Sequence, residues 1–310
     1  MIPTSIKGPD EIAHAHAVVP SWNGAHLLPE CLRALAAQTA PLWVTVVDNG
    51  STDGTADLVA REFPSVQLLR LPRNAGYGRA NNEAMRSVAA EFVVLVNNDV
   101  ELSPDWLSRM LAAATAQPSC GLFCGTLVFR DDPSVVNSTG IEIDFFGRAR
   151  DRDFGLPLRD LQRQDGPVLA VTGGAALLRT SMLRTVGLFD PAYFAYYEDV
   201  DLSLRAKASG FGSYYVRDAV ARHRFGASFG PGSARQRFLL GRGHLRTVGL
   251  HEPIAKAAWL IPLTMAFRIA VKAPSELLRR RPMHAVAEVR AALSGGWSAA
   301  TALAERIGRR

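Results

Sequence analysis

Two clusters of amides and carboxylates hold the residues best suited to chemistry. The first, Asn97-Asn98-Asp99, directly follows the apolar segment 92–96. An ionised carboxylate at the end of a buried strand needs a partner. Mg²⁺ or Mn²⁺ bound to Asp99 and to phosphate oxygens would provide one, because both ions favour oxygen ligands. The alternative is that Asp99 caps the helix predicted to begin near Pro104.

The second cluster, Glu198-Asp199-Val200-Asp201, holds three carboxylates within four residues. These charges repel one another, so the cluster needs a cation or shared protons. One of the carboxylates could deprotonate an attacking hydroxyl. The alternative is an acidic first turn that only interacts with a helix dipole. Upstream, Gly173-Gly174 leaves room for a substrate to approach the backbone.

His223 lies between Arg222 and Arg224, after the last predicted strand. A neutral imidazole there could complete the coordination of a cation. Taken alone, a histidine between two arginines is more often structural or on the surface, so its role depends on its neighbours.

Alternating strand and helix patterns must position these residues. Strands are predicted at 15–20, 42–48, 66–71 and 92–96, and helices at 27–37, 55–62, 79–89 and 104–116. The strands are continuous apolar runs, which is typical of strands buried on both faces of a parallel sheet. The pattern predicts an α/β fold with a doubly wound, mostly parallel sheet and a ligand site at the carboxyl ends of its strands.

The second half of the chain has fewer clear signals. Further strands are predicted at 120–129, 140–144 and 214–223, and a helix at 199–209. The polar segment 148–166 is predicted to be a loop over the site.

Polar and Gly-rich residues follow each of the first four strands, which predicts a nucleotide pocket there. The candidate binding residues are Pro20, Ser21, Asn23, Asp48, Asn74, Arg79 and Asn98. Asp48 could accept hydrogen bonds from a base or ribose, and Arg79 could pair with a diphosphate. Ordinary turn chemistry explains any one of these loops as well, but it explains all four together less well.

Charge is unevenly distributed along the chain. The formal charge of residues 1–230 is −4 and that of residues 231–310 is +10. A basic tail suits a polyanionic partner such as an anionic membrane surface, a diphosphate or a nucleic acid. The tail lacks alternating aromatics and a recognised module, so we expect no nucleic acid.

An apolar run at 257–267 lies within this tail. It has only 11 residues and contains Pro262, whereas a membrane-spanning helix needs about 20. We therefore predict that it does not span a membrane. It could lie in the membrane interface, with Trp259 and Phe267 inward and the arginines 279–281 on head groups. Packing against the rest of the protein is the equal alternative.

Cysteine usage and the N-terminus bear on the compartment. Cys31, Cys120 and Cys124 are an odd number without metal-binding spacing, which favours free thiols in a reducing cytosol. No N-terminal segment has the pattern of a signal peptide.

Two other classes of protein fit these residues less well. A nucleotidyltransferase usually has a Gly-rich loop with a basic residue directly after the first strand, whereas residues 21–24 are Ser-Trp-Asn-Gly. A non-catalytic nucleotide-sugar-binding protein has no need of Asp99, Asp199 and His223 together.

Five segments of the sequence carry a family resemblance. They are SWNG, VVDNGSTDGT, RNAGYGRANN, VNNDVELSPDWL and GLFDPAYFAYYEDVDLSLRAKASGF, and they occur in the expected order between residues 17 and 251. They resemble glycosyltransferase family two, in particular its bacterial rhamnosyltransferase-like branch of O-antigen and cell-wall enzymes.

The resemblance implies a GT-A fold and an inverting reaction. It implies that Asp199 is the general base, with Glu198 beside it and Gly173 and Gly174 in the acceptor site. It also implies that Asp99 and His223 ligate Mg²⁺ or Mn²⁺, with Asn97 where the family usually has a first aspartate.

The resemblance also implies the substrates and the domain plan. We expect a nucleotide-diphosphate sugar donor, first dTDP-rhamnose and next a UDP-sugar, and a glycan or polyprenyl-diphosphate-linked acceptor. Residues 1–230 form the predicted catalytic domain, with a nucleotide-sugar half at about 15–116 and an acceptor half at about 117–230. Residues 231–310 form a basic helical extension. The expected location is the cytoplasm, with a peripheral position at the inner face of the cell membrane as the alternative to a free one.

Overall fold

Four parallel strands with helices between them form the first half of the chain. The computed structural model describes residues 13–226, 230 and 232–308, so the segment searched for a signal peptide lies mostly outside the described residues. The strands are β1 (Ala15–Ser21), β2 (Leu42–Asp48), β3 (Gln67–Arg70) and β4 (Phe92–Val96), and the helices are α1 (Leu28–Ala36), α2 (Thr55–Glu62), α3 (Tyr77–Met85) and α4 (Trp106–Ala116). The strands lie side by side in the order β4-β1-β2-β3.

Burial explains why these segments form these elements. Every residue of β4 is buried, and so is nearly all of β1 and β2, as continuous apolar runs require. Helix α1 buries Leu28, Cys31, Leu32 and Leu35, which lie on one helical face at intervals of three and four residues. All three cysteines are free and buried, as predicted.

The second half adds strands of 3 to 12 residues and two α-helices. They are β5 (Val100–Leu102), β6 (Cys120–Phe129), β7 (Val136–Ser138), β8 (Ile141–Ile143), β9 (Ala149–Asp151), β10 (Gly166–Val168), β11 (Ala175–Arg179), α5 (Thr180–Val186), α6 (Glu198–Ala208) and β12 (Gly212–His223). The main path of the sheet is β10-β12-β6-β11-β4-β1-β2-β3. Strand β11 is antiparallel to both β4 and β6, whereas β12 is parallel to β6. The α/β prediction is confirmed, and the antiparallel strands lie in the second half.

The segment 148–166 is not the simple loop that its polarity predicts. It contains β9, a 3₁₀ turn at Leu158–Asp160 and the first residue of β10. Strand β9 pairs with β8 in an antiparallel hairpin. Arg150 Nε of β9 lies 3.3 Å from Glu142 Oε1 of β8, and these exposed charges obscure the strand pattern in the sequence.

Helices form the C-terminal part of the chain. They are α7 (Ala234–His251), α8 (Ile254–Phe267), a π-helical turn (Arg268–Lys272), α9 (Ala273–Leu278) and α10 (Pro282–Gly308). Helix α10 packs along α7. The proposed domain boundary at residue 230 stays a prediction.

The apolar run at 257–267 belongs to a helix that is longer than the sequence predicts. From α8 through the π turn to α9, residues 254–278 form one continuous helix of 25 residues, long and apolar enough to cross a membrane, and an 18-residue stretch within it has a mean hydropathy of 1.5. Pro262 does not end it. Arg268, which ends the apolar run in the sequence, is buried and pairs with Glu288 of α10, so the helix continues past it.

Candidate active site

Two cavities share a wall at the carboxyl ends of β1, β2 and β4. The sheet-edge cavity, of about 90 Å³, is lined among others by Pro20, Ser21, Asn49, Asn74 and Asn98. The carboxylate cavity, of about 260 Å³, is lined among others by Asp151, Gly173, Gly174, Glu198, Asp199 and His223. Tyr77, Asn97 and Ala195 line both. The structure therefore brings most of the predicted site residues to one edge of the sheet.

The floor of the sheet-edge cavity is a hydrogen-bonded pair of side chains. Asn98 Nδ2 donates to Ser21 Oγ at 3.0 Å. A Cβ added to Gly24 would lie 2.2 Å from Asn98 Nδ2 and 2.5 Å from Ser21 Oγ. Glycine at position 24 therefore permits the close approach of the two loops that carry these side chains.

Asn49 shapes the same cavity and was not predicted. Its Oδ1 accepts a hydrogen bond from Ala75 N at 2.8 Å, and its Nδ2 donates to Asn74 Oδ1 at 3.2 Å. The amide thus fixes the loop before α3 against the end of β2. The available signal was its position, directly after Asp48 at the end of a buried strand.

Three predicted nucleotide-binding residues are not among the residues lining the sheet-edge cavity. Asp48 Oδ1 accepts from Ser51 N at 3.0 Å and Asn23 Oδ1 accepts from Thr52 N at 2.8 Å, so both hold the turn after β2. Arg79 is exposed and lines a neighbouring cavity with Arg242. Contacts of these three residues with a nucleotide stay predictions.

Asp199 lies in the wall of the carboxylate cavity at the first turn of α6. Its Oδ2 accepts a hydrogen bond from Gly173 N at 2.8 Å. The preceding residues Tyr196 and Tyr197 have positive φ angles of 68° and 74°, which are uncommon outside glycine. This strained entry turns the start of α6 toward the cavity.

Burial raises the pKa of both acids at this helix start. For Glu198, the charge of Asp199 adds to burial, whereas hydrogen bonds from Gly173 N and Val200 N oppose the rise for Asp199. Two adjacent carboxyls that resist ionising together favour a state with one shared negative charge. A carboxylate of raised basicity is suited to accept a proton from a hydroxyl.

Buried oxygen atoms without partners belong to residues that line the cavity or, in the case of Asp99, contact its lining residue His223. Asn97 Oδ1, Asp99 Oδ1 and Glu198 Oε2 are buried, and none of them has a hydrogen-bond partner among the described residues. Buried polar atoms are nearly always paired. Unpaired oxygens at one site indicate a ligand that supplies positive charge or hydrogen-bond donors.

Asp99 and His223 lie close enough together to hold one cation. His223 Nε2 lies 3.5 Å from Asp99 Oδ1, and His223 Nδ1 donates to Asn137 Oδ1 at 2.8 Å. With its proton on Nδ1, the imidazole keeps a lone pair on Nε2. Two ligands of one cation can have this separation, because each lies about 2 Å from the ion.

The protein supplies few ligands for such a cation. In residues 13–226, 230 and 232–308, no group of three or more His, Cys, Asp or Glu side chains has metal-binding geometry. Asp99 and His223 are therefore two candidate ligands, with Asn97 Oδ1 nearby as a possible third. Such a sparse, mainly oxygen-donor set fits Mg²⁺ or Mn²⁺ whose remaining ligands come from a diphosphate and water.

Asp201, the third acid of the second cluster, does not face the cavity. It is buried, and it accepts hydrogen bonds from Arg205 Nε and His251 Nε2, both at 2.8 Å. These contacts hold its pKa below the ordinary value despite burial. Asp201 therefore joins α6 to α7 and is structural.

Asp151 in β9 lines the cavity and was missed in the sequence. Burial raises its pKa to about 6, with a further contribution from the charge of Asp199. Its position in a polar segment gave no indication that it lines a buried site. Asn137, in the short strand β7, was missed too, although an amide directly after two valines is a signal that could have been noticed.

Comparisons with known proteins show which sequences this chain resembles. The family described as glycosyl transferase family 2 matches residues 17–187. The chain is 29% identical to N-acetylglucosaminyl-diphospho-decaprenol L-rhamnosyltransferase of Mycobacterium tuberculosis, over 83% of this chain and 90% of the relative. It is also 29% identical to an N-acetylglucosaminyltransferase of Mesorhizobium japonicum, over 69% of this chain and 52% of the relative.

Solved structures show the same fold. The mannosyltransferase PcManGT from Pyrobaculum calidifontis, solved in complex with GDP-Man and Mn²⁺, superposes with a TM-score of 0.57 at 19% identity, over 95% of this chain and 90% of that one. Residues 1–349 of TarS from S. aureus superpose with a TM-score of 0.52 at 17% identity, over 95% and 91%. The fold is GT-A. Because the family match spans more than half of its residues, the chain belongs to glycosyl transferase family 2.

Proposed function

We propose that this glycosyltransferase is inverting and metal-dependent, with Asp199 as its general base. The observation that carries the proposal is that Asp199 and His223, the neighbour of Asp99, line one cavity although they are distant in sequence. Asp199 is tied to Gly173 N, and Gly174 O accepts a hydrogen bond from Asn97 N at 3.0 Å. The proposed base and the proposed cation site are thus linked through adjacent glycines.

The proposed chemistry is a single displacement. Asp199 accepts the proton of the acceptor hydroxyl as its oxygen bonds to the anomeric carbon, and the bond from that carbon to the diphosphate oxygen breaks. Attack from the face opposite the diphosphate inverts the configuration. A divalent cation held by Asp99 and His223 would offset the negative charge that develops on the diphosphate.

The proposed donor is a nucleotide-diphosphate sugar, first dTDP-rhamnose and next a UDP-sugar. The proposed acceptor is a glycan on a polyprenyl diphosphate, in cell-surface polysaccharide synthesis. Support comes from the names of the rhamnosyltransferase and N-acetylglucosaminyltransferase relatives. The diphosphate would lie near Asn97, which lines both cavities.

We further propose a cytoplasmic protein that rests on the inner face of the cell membrane. The support is the distribution of side chains on the helix at 254–278. Its polar residues, such as Arg268 and Glu276, are buried against the protein. The exposed residues between positions 257 and 278 are all apolar: Ala258, Trp259, Pro262, Leu263, Ala266, Phe267, Ile269, Ala270, Val271, Pro274, Leu277 and Leu278. The arginines at 279–281 follow this face and suit anionic head groups.

The ion pairs of this helix favour a position along the membrane surface over one that spans it. Arg268 pairs with Glu288 of α10, and Arg237 of α7 lies 3.3 Å from Glu276 Oε1. Leaving α7 and α10 would expose these buried charges to lipid, at a cost of several kcal/mol.

The test of the chemistry combines donor binding with turnover. Nucleotide sugars are screened by thermal shift with and without Mn²⁺, and transfer to a short-chain prenyl-diphosphate N-acetylglucosamine is followed by NMR of the product's anomeric centre. Asp199→Asn should keep the donor Kd within about twofold and lower kcat by about 10²–10⁴-fold. Normal turnover in this variant, or a product with retained configuration, would refute the assignment.

The test of the membrane position uses vesicles. The intact protein should sediment with anionic vesicles and much less with zwitterionic ones. Replacing Trp259 and Phe267 by serine should abolish sedimentation without changing donor binding. Equal sedimentation of this variant would contradict the proposal.

A further inference from the structure

An apolar groove lies between the β8–β9 hairpin and the helix at 254–278. This α8 groove has a volume of about 260 Å³ and lies apart from the two cavities described above. Its walls include Phe146, Arg148, His244, Leu263, Phe267 and Lys272. Leu263 and Phe267 belong also to the exposed apolar face of the helix, so the groove opens beside the surface that we assign to the membrane.

Only a thin wall separates the α8 groove from the carboxylate cavity. Tyr197 lines the carboxylate cavity, and its ring centroid is 6.1 Å from that of His244, which lines the groove. His244 Nε2 donates to the backbone oxygen of Phe146 at 2.8 Å. Along the hairpin, Arg148 lines the groove and the next residue, Ala149, lines the cavity. A ligand of modest length could reach from one to the other around the hairpin.

Positive charge in the groove is not fully neutralised. Lys272 is half-buried, and within residues 13–226, 230 and 232–308 no carboxylate lies within ion-pair distance of its ammonium group. Burial and the nearby Arg268 lower the pKa of Lys272. Arg268 also lines the groove, and its buried Nε has no hydrogen-bond partner among the described residues. Lys272 Nζ lies 6.0 Å from the centroid of the Phe267 ring. Apolar walls with an ammonium group that has no carboxylate partner among the described residues suit a ligand that is apolar along its length and anionic at one end.

We propose that the α8 groove binds the isoprenoid diphosphate part of the lipid-linked acceptor. Leu263 and Phe267 contact the first prenyl units, and Lys272 binds a phosphate oxygen. The sugar then extends past Ala149 toward Asp199. The identity of the ligand rests on the proposed function, whereas the existence of the site rests on the groove itself.

The test measures binding directly, in the full chain and without vesicles. The probe is geranylgeranyl diphosphate, used below its aggregation concentration and measured by calorimetry with and without a saturating nucleoside diphosphate. Geranylgeraniol, inorganic pyrophosphate and a short-chain phosphatidic acid are the comparison ligands. We expect the diphosphate lipid to bind at least about tenfold more tightly than each of them, and to keep its affinity when nucleotide is bound.

Two pairs of matched variants locate the site. Leu263→Gln and Lys272→Gln should each weaken binding of the probe by about tenfold or more. Val271→Gln is the control for the first, because both side chains are 51% exposed on the same helix and Val271 does not line the groove. Arg281→Gln, an exposed cation outside the groove, is the control for the second. All four variants should keep the wild-type unfolding temperature.

Three results would overturn the proposal: unchanged affinity in Leu263→Gln and Lys272→Gln, full displacement of the probe by the nucleotide, or equal binding of phosphatidic acid. Failure of the proposed function would look different. In that case the probe would bind in the groove as expected, but no sugar would be transferred to a prenyl-diphosphate acceptor.

Discussion

The imidazole of His223 is held by Asn137, whose side-chain Oδ1 accepts a hydrogen bond from Nδ1 at 2.8 Å. This contact leaves Nε2 directed toward the carboxylate of Asp99, 3.5 Å away. Partners that orient a metal-binding histidine contribute strongly to affinity, typically by about 10–100-fold. Asn137 is thus a positioning residue for the proposed cation.

Replacing Asn137 by alanine tests this arrangement. We expect Asn137→Ala to weaken Mn²⁺ binding by about 10–100-fold, measured by calorimetry with nucleoside diphosphate present. Asn137→Asp, which keeps the acceptor, should retain most of the affinity. Equal Mn²⁺ affinity in Asn137→Ala and the wild type would show that His223 needs no support from Asn137.

The two aspartates of α6 should respond in opposite ways to the same substitution. Asp201 is buried between Arg205 and His251, and breaking a buried ion pair by removing one partner costs about 3–5 kcal/mol. Asp201→Asn should therefore lower the free energy of unfolding by several kcal/mol, as measured by urea denaturation at neutral pH. Asp199→Asn should keep or raise it, because burial disfavours the charged form of Asp199.

The buried strands and the acidic cluster of α6 show what the sequence could and could not predict. Apolar runs such as Leu42–Asp48 and Phe92–Val96 match the observed strands residue for residue, because burial on both faces leaves an uninterrupted pattern. The spacing of Glu198, Asp199 and Asp201 predicts a cluster, but not which carboxyl faces the cavity. That depends on the positive φ angles of Tyr196 and Tyr197, and no local pattern predicts them.

Long-range contacts explain what the sequence reasoning missed. Asp151 reaches the site only because β9 pairs with β8, and Asn137 only because β7 pairs with β6. Both strands have three residues, too few for a recognisable period. The length of the helix at 254–278 was underestimated for a related reason. The charge of Arg268 predicts the end of the apolar segment, and only its ion pair with Glu288 shows how the helix can continue.

Gly24 should be needed for binding of the donor. A methyl group at this position would lie 2.2 Å from Asn98 Nδ2, so Gly24→Ala must separate Asn98 from Ser21. Loss of a hydrogen bond and of cavity shape should cost about 1–2 kcal/mol, which is about a 5–30-fold rise in the donor Kd.

Gly54→Ser is the control for effects outside the cavity. Gly54 lies on the turn before α2, where an added Cβ meets nothing within 4 Å. Its own cost is backbone strain at a φ of 84°, so it should lower stability and leave the donor Kd unchanged.

The unusual pKa of Asp151 predicts how the stability of the metal-free protein depends on pH. Burial raises this pKa from 3.8 to about 6, so the folded state binds a proton that the unfolded state has lost. The contribution of Asp151 is therefore most favourable below about pH 4, falls as the pH rises to about 6, and is constant above that. The full loss is about 3 kcal/mol at most.

Asp151→Asn removes this titration. Urea denaturation in EDTA across this pH range should show the variant to be more stable than the wild type near neutral pH, by up to about 3 kcal/mol, with the difference shrinking toward about pH 4. Glu198 and Asp199 also have raised pKa values, so only the difference between the two proteins reports on Asp151. A difference that does not change with pH would mean that Asp151 ionises in the folded protein as it does in the unfolded chain.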